Sequence, residues 1–273
     1  MKTKVILNNA KSKLVESGID SIRDAEFLLA HVLNCKVFEL VLISDITATQ
    51  EQIYSELILR RCAHEPMDSL LGYTEFLGVN IPFHKETLSP RQETEIMVDT
   101  IITENSSRGV LDVLDMCTGS GCIGLAIAKH LQARVTLADI SDDALDIALE
   151  NAKLNDIQVS ISKSNLFDNI SGTFDIIISN PPYIPSNECG ILEKEVTEYD
   201  PLLALDGGVD GLDFYRKIIS NAPKFLREGG LIYLEMGIGQ SVAIKSMLSS
   251  DFENIKIYKD YAGIDRFVRA KLK

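Results

Sequence analysis

The 273-residue sequence is short of positive charge: 27 Lys and Arg stand against 40 Asp and Glu, for a net charge of −13. A chain that works by cradling nucleic-acid phosphates carries the opposite sign, so direct DNA or RNA binding is not expected. The sequence has no apolar run near the roughly 20 residues of a membrane helix. Its opening segment, MKTKVILNNAKSK, is polar again by residue 8 and lacks the apolar core of a signal peptide. Cysteines are few and scattered (Cys35, Cys62, Cys117, Cys122, Cys189), and their odd number is not a disulfide framework. Cys117 and Cys122 are the only close pair, with no second pair or nearby histidine to complete a metal site, so they read as small packing residues and no metal is expected. His31, His64, His84 and His130 are equally dispersed and do not suggest a general base. Internal repeats and low-complexity tracts are also missing. With 45% hydrophobic and 25% charged residues, what remains is a reduced, cytoplasmic globular protein with no membrane association.

The chain changes character near residue 75. Residues 1–74 read as a small helical bundle. Val5, Ile6, Leu14 and Val15 fall on one helical stripe, and Ile22, Ala25, Leu28, Leu29, Val32 and Leu33 on another. Ser21 with Asp24, and Thr49 with Gln52, have capping-box spacing. The second box opens a helix with Ile53, Leu57 and Ile58 inward and with Arg60 and Arg61 near its negative end. This segment holds no catalytic constellation, which suggests substrate docking. Residues 75–90, EFLGVNIPFHKETLSP, form a hairpin-like connector. Ser89, Pro90 and Gln92 take N-cap, N1 and N3 positions of a helix that carries Ile96, Met97, Ile101 and Ile102 inward. Residues 91–273 form the larger domain. Glu193, Glu195 and Glu198 read as a solvated acidic face.

From residue 110 strands and helices alternate. The strand-like runs are 110–116, 134–140, 159–164, 174–180, 230–236, 253–259 and 265–272, and the helical ones are 121–131, 142–155 and 213–226. Runs such as FDIIIS are apolar on both faces, as a sheet covered by helices requires. The pattern predicts an α/β, mostly parallel, doubly wound sheet, whose ligands bind at the carboxyl ends of its strands.

Two strand ends carry a cofactor signal. The run 110–116 leads into Cys117-Thr118-Gly119-Ser120-Gly121-Cys122-Ile123-Gly124, a G-x-G-x-x-G turn between strand and helix that lets backbone approach a ligand closely. Asp139 ends the next strand, where a carboxylate can accept hydrogen bonds from both hydroxyls of a ribose. Together they predict an adenosine cofactor without saying which. The third element is Asn180-Pro181-Pro182-Tyr183, after FDIIIS. Each proline restricts the residue before it and removes an N–H, so the backbone is stiff and offers carbonyls without competing donors. The Asn180 carboxamide adds an acceptor and Tyr183 a flat wall. Such a cup suits a planar –NH2 group. Its nitrogen is a poor nucleophile until acceptors hold its hydrogens and aim its lone pair.

These motifs resemble those of S-adenosylmethionine (SAM)-dependent amino methyltransferases. The chain as a whole resembles the release factor glutamine N5-methyltransferases, the HemK family. The likeness runs through Pro90-Arg91-Gln92-Glu93-Thr94-Glu95, the glycine loop, the N-P-P-Y tetrad, Asp200-Pro201-Leu202-Leu203-Ala204-Leu205, Gly207-Gly208-Val209-Asp210-Gly211-Leu212 and Asp260-Tyr261-Ala262-Gly263-Ile264-Asp265-Arg266. The resemblance implies a Rossmann-like class I methyltransferase sheet with an antiparallel C-terminal strand, preceded by a helical substrate-docking domain. It implies that Cys117, Thr118, Gly119, Ser120 and Gly121 lie along the methionine part of SAM, that Asp139 holds the ribose, and that Asn165 and Leu166 flank the adenine. Asn180 would bind the substrate amide beside the cofactor, Pro181, Pro182 and Tyr183 would shape its slot, and Arg91 and Glu93 would brace the entrance. The implied reaction is direct transfer from SAM to the glutamine of a Gly-Gly-Gln motif in a peptide chain release factor, leaving S-adenosylhomocysteine.

Three positions depart from the family pattern: Asn165 replaces a common Asp, Asp200 replaces a Glu, and Pro66-Met67-Asp68-Ser69-Leu70-Leu71-Gly72 lacks an aromatic residue before Leu-Leu-Gly. Two other functions use some of the same residues. An adenine N6 DNA methyltransferase shares N-P-P-Y but calls for a basic groove and a target-recognition domain. A nicotinamide oxidoreductase shares the glycine turn and leaves N-P-P-Y unexplained.

Overall fold

A computed structural model describes residues 2–273 as two compact units. One unit comprises the chain up to Tyr73 together with Glu193–Tyr199, and the other comprises Thr74–Leu192 and Asp200–Lys273.

The first unit is helical: α1 (Thr3–Glu16), α2 (Asp24–Leu33), α3 (Ala48–Cys62) and α4 (Met67–Leu71). Its core gathers Ile6, Ala10, Leu14, Ala25, Leu28, Leu29, Tyr54, Leu57 and Ile58. The phase of three stripes differs from the sequence expectation, for Val5, Val15, Ile22 and Ile53 are exposed. In α1 the line of contact runs through Ile6, Ala10 and Leu14 at i, i+4, i+8, and the small Ala10 permits close packing. The cap of α3 is Thr47, not Thr49. The Thr47 hydroxyl accepts from the Gln50 N–H at 3.2 Å and the Gln50 side chain accepts from the Thr47 N–H at 2.9 Å. Ser21 does bond Asp24, at 2.6 Å, but α2 starts after Arg23 and has no side-chain cap. Arg61 is buried; it donates to Asp24 at 2.8 Å, to the Glu65 carbonyl at 2.9 Å and to Glu195 at 2.5 Å. Glu195 therefore neutralises a buried guanidinium instead of lying on a solvated face.

The hairpin of β1 (Tyr73–Phe76) and β2 (Val79–Pro82), which belongs to the second unit from Thr74 on, turns through Leu77 and Gly78, both at positive φ. Next comes α5 (Gln92–Asn105). Its N-cap is Arg91 in extended backbone rather than Ser89, and the Arg91 side chain makes no cap bond but pairs with Asp200. Then follow β3 (Leu111–Met116), α6 (Cys122–His130), β4 (Ala133–Asp139), α7 (Asp142–Leu154), β5 (Ser160–Lys163) and β6 (Phe174–Ser179). After α8 (Lys194–Tyr199), which belongs to the helical unit, come α9 (Leu202–Leu205), α10 (Asp213–Asn221), β7 (Leu226–Glu235), α11 (Ser241–Leu248), β8 (Phe252–Lys259) and β9 (Asp265–Leu272). No helix had been expected at α8, α9 or α11.

The seven-stranded sheet has the order β5-β4-β3-β6-β7-β9-β8. Strands β3 to β7 pair in parallel, and β9 is antiparallel to both neighbours. This is the expected α/β methyltransferase sheet. Its two faces carry separate cores, one including Met97, Ile101, Leu125 and Ile176, the other Leu114, Ile177, Ile218 and Ile244. Each fully buried aliphatic side chain contributes about 1.5–3 kcal/mol. The two-sided covering explains why the central strands read as unbroken apolar runs. The chain order reverses between β3 and β6, which opens a crevice at their carboxyl ends. No helix among the described residues is long and apolar enough to cross a membrane.

Candidate functional site

The parallel register sets the site. Met116 pairs with Ala138 on one side and Ser179 on the other, and Ser179 pairs with Leu234. One residue further along each strand stand Asp139, Cys117, Asn180 and Glu235, a row across four adjacent strands at the carboxyl edge. The empty space in and before the crevice above this row comes to about 1070 Å³, open solvent included.

The glycine loop forms one wall. Cys117 and Gly119 have positive φ, and Gly121 caps α6 in the left-handed region. Behind the loop, the fully buried Asp115 accepts from the Thr118 hydroxyl at 2.6 Å and the Gly124 N–H at 2.9 Å. A Cβ at Gly124 would lie 2.2 Å from Leu137, so the third glycine of the motif serves helix–strand packing. A Cβ at Gly119 would meet nothing within 4 Å, so glycine there leaves crevice space that a side chain would fill. Burial pushes the Asp115 carboxyl up to about 7 and the Cys117 and Cys122 thiols up to about 12. Neither thiol is a thiolate at neutral pH, which removes a cysteine nucleophile from consideration.

Asp139 is fixed by two main-chain donors: Gly119 N–H to Oδ2 at 2.9 Å and Ser141 N–H to Oδ1 at 3.0 Å. A carboxylate oxygen has two lone pairs, so each retains capacity toward the crevice. Asn165 is exposed and Leu166 buried, and both line the crevice. This arrangement of open glycine cradle, braced carboxylate and apolar Leu166 fits an adenosyl cofactor.

The opposite wall holds the tetrad. Asn180 and Pro182 line the crevice, while Pro181 is buried and Tyr183 half-buried behind them. The 207–212 loop buttresses this segment: Ile184 N–H donates to Leu205 O at 2.9 Å and Gly207 N–H to Ile184 O at 2.8 Å. Gln240, which sequence reading missed, donates to the carbonyls of Tyr183 (2.9 Å) and Gly211 (3.1 Å) and accepts from Gly237 N–H (2.9 Å). One tetrad carbonyl, that of Tyr183, is therefore spent on structure. Burial, with Glu235 adding to it, pushes the Tyr183 phenol up to about 12, so it stays neutral.

Arg91 lines the crevice and donates to Asp200 at 2.5 Å. Glu93 does not line it; it faces Arg266 at 3.8 Å. The Asp260–Arg266 segment makes a loop that fixes this arginine, with Asp260 accepting from Ala262 and Ile264 N–H (both 2.9 Å) and from Arg266 (2.7 Å). Of the sequence-predicted residues, Arg91, Cys117, Thr118, Gly119, Ser120, Asp139, Asn165, Leu166, Asn180 and Pro182 share one crevice. Gly121, Pro181, Tyr183 and Glu93 stand behind its surface. Glu235 and Arg266 were not singled out as site residues, because a single acidic or basic residue at a strand end carries no sequence signal.

Comparison with known proteins agrees with this architecture. Residues 90–198 match the family model described as "Methyltransferase small domain", and residues 6–72 match "PrmC N-terminal domain". A protein of Agrobacterium fabrum named release factor glutamine methyltransferase is 39% identical, with 94% of this chain and 93% of that protein covered. One of the same name from Thermodesulfovibrio yellowstonii is 40% identical, covering 90% and 91%, and one from Streptococcus pneumoniae is 35% identical, covering 98% of each. Among solved structures, a methyltransferase from Pyrococcus furiosus superposes with a TM-score of 0.53 at 21% identity, covering 71% of this chain and 89% of its own. The 16S rRNA N2 G1207 methyltransferase of Thermus thermophilus, solved with SAM and guanosine, has a TM-score of 0.53 at 17% identity, covering 74% and 50%. These two likenesses establish the fold.

Proposed function

The chain belongs to the release factor glutamine methyltransferase family, and from that premise we propose that it moves the methyl group of SAM onto the side-chain amide nitrogen of the glutamine in the Gly-Gly-Gln motif of peptide chain release factors. The observation that carries this reading is Asn180: a carboxamide held by a proline-stiffened backbone, lining the same crevice as Asp139 and the glycine loop. SAM, when bound, supplies an electrophilic methyl group on a sulfonium, and the products are N5-methylglutamine and S-adenosylhomocysteine.

The chain's own residues divide the remaining tasks. Asp139 holds the ribose hydroxyls. Cys117, Thr118, Gly119 and Ser120 present loop backbone to the methionine part, while Gly121 gives the loop its turn into α6. Asn165 and Leu166 flank the adenine, with the Asn165 carbonyl serving where the family commonly has a carboxylate. The Asn180 oxygen accepts a hydrogen of the substrate amide, which orients the nitrogen lone pair. Pro182 shapes the slot from its surface, and Pro181 and Tyr183 stiffen it from behind. Arg91, held by Asp200, braces the entrance, and Glu93 acts one layer back through Arg266. The crevice is lined by no histidine or thiolate, so the reading calls for alignment rather than a covalent intermediate. The helical unit docks a second surface of the release factor, and the setting is the cytoplasm, where translation occurs.

Incubation with isotope-labelled SAM and a purified release factor should place one methyl group on the Gly-Gly-Gln glutamine, located by mass spectrometry. Asn180→Ala should abolish transfer while SAM affinity stays within a few fold. Undiminished turnover in that variant would refute the assignment.

A further inference from the structure

Glu235 is only 4% exposed, at the end of the apolar strand β7. A carboxylate in such a place must find its partners inside the protein. The Thr94 hydroxyl donates to Oε2 at 2.7 Å. Asn180 and Glu235 each follow one member of the Ser179–Leu234 register pair, so they stand side by side on adjacent parallel strands, and the Asn180 side-chain amide favours the charged form of the carboxylate. The Tyr215 hydroxyl donates to the Glu235 backbone carbonyl at 2.7 Å and pins the main chain. An ionised carboxylate can only accept, so the end of the Asn180 amide that favours its charge is the –NH2. The amide is planar, so with its –NH2 toward Glu235 its oxygen faces away. A flipped Asn180 would set its carbonyl against the carboxylate and would present donors to an incoming –NH2 group.

We propose that Glu235 is a positioning residue that fixes the amide orientation of Asn180, so that the crevice presents an oxygen acceptor and selects an –NH2 nucleophile. The selection of the nucleophile rests on the methyltransferase reading above; the orientation of Asn180 does not.

The surroundings make this orientation pH-dependent. Burial pushes the Glu235 carboxyl up to about 7, and Glu93 adds to the rise, while the bond from Thr94, Arg266 and the Asn180 amide oppose it. The groups that face it are Glu93 from α5, Cys122 from α6, Tyr215 from α10, Arg266 from β9 and Tyr183 after β6. Burial keeps Cys122, Tyr183 and Tyr215 neutral, which leaves Glu93 and Arg266 as the charged neighbours, of opposite sign. Once protonated, Glu235 gains a donor, and the carbonyl of a flipped Asn180 becomes an acceptable partner. The fixed orientation is therefore complete above the folded pKa and is lost as pH falls through about 7.

Glu235→Gln keeps the volume and allows both amide orientations. It should lower kcat about tenfold or more, the worth of a hydrogen bond to a charged group. KM for the release factor and Kd for SAM should stay within threefold, and the acid limb of the kcat profile near pH 7 should vanish. Without any substrate, the Asn180 side-chain amide NMR signals, assigned by their loss in Asn180→Ala, should titrate near pH 7 in the native protein and stay flat in Glu235→Gln. Thr94→Val, which keeps Glu235 and removes a bond that stabilises its charged form, should move both midpoints to higher pH. Native kcat with an intact acid limb in Glu235→Gln, or Asn180 signals that do not titrate in the native protein, would overturn the assignment. If the native protein methylates no glutamine and the Asn180 signals still titrate as stated, the substrate reading fails and the Glu235–Asn180 coupling stands.

Discussion

Gly211→Ala should disable transfer from a position outside the crevice lining. Gly211 has φ +72°, and a Cβ on it would lie 2.3 Å from the Tyr183 carbonyl oxygen and 2.7 Å from Gln240 Nε2. Ordinary contact begins near 3.4 Å, so one of the partners must retreat by about 1 Å, a misplacement that can cost on the order of 100-fold in rate. Neither partner retreats freely, because Gln240 Nε2 is bonded to the carbonyls of both Tyr183 and Gly211. The Tyr183 backbone must shift, and two stiff prolines carry the displacement to Asn180. Left-handed backbone costs an alanine about 1–2 kcal/mol in addition, which lowers the melting temperature by about 2–4 °C per kcal/mol. Gly172→Ala separates strain from displacement, since Gly172 has φ +85° with nothing within 4 Å of its Cβ position. Both variants should melt lower, but only Gly211→Ala should lose kcat about 100-fold, with SAM affinity nearly native by calorimetry. Native kcat in Gly211→Ala, or an equal loss in Gly172→Ala, would refute the reasoning.

Asp139→Ala removes the acceptor for Gly119 N–H and Ser141 N–H as well as the ribose contact; SAM affinity should fall at least tenfold by titration calorimetry. Asp115 makes stability pH-dependent with a definite sign. Its carboxyl titrates near 7 in the folded protein and near 3.8 unfolded, so its contribution is full below about 4 and is lost as pH rises through 7. Asp115→Asn should therefore gain on the native protein by about 4 kcal/mol between pH 4 and pH 8. Urea unfolding at several pH values reads this directly, and a constant difference would count against a buried proton at Asp115.

Much of the architecture was legible because its signals are local. Parallel strands covered on both faces must be apolar throughout, and FDIIIS and GLIYLE are. A strand–glycine–helix turn needs positive φ, which singled out 119–124, and two successive prolines stiffen 180–183 whatever surrounds them. Helix phase was less legible: Val5 and Ile6 are equally apolar, and only the bundle decides that Ile6 faces inward. The two overlapping T-x-x-Q boxes at 47–50 and 49–52 are indistinguishable in sequence, and the start of α3 chose the first. Gln240, Arg266 and Glu235 are single polar residues with no pattern around them. Each acquires meaning from a partner far along the chain: Tyr183, Glu93 and Asn180 in turn.

The sequence by itself determined which segments become buried strands, where the chain must turn tightly and which backbone is stiff, because those are consequences of hydrophobicity, of missing Cβ atoms and of proline geometry. Only the tertiary structure decided that Asp139, Cys117, Asn180 and Glu235 stand in one row, and that a buried carboxylate meets the carboxamide of Asn180. Strand register is a relation between distant segments, set by how the helices and the sheet pack together, and no local run of residues encodes it.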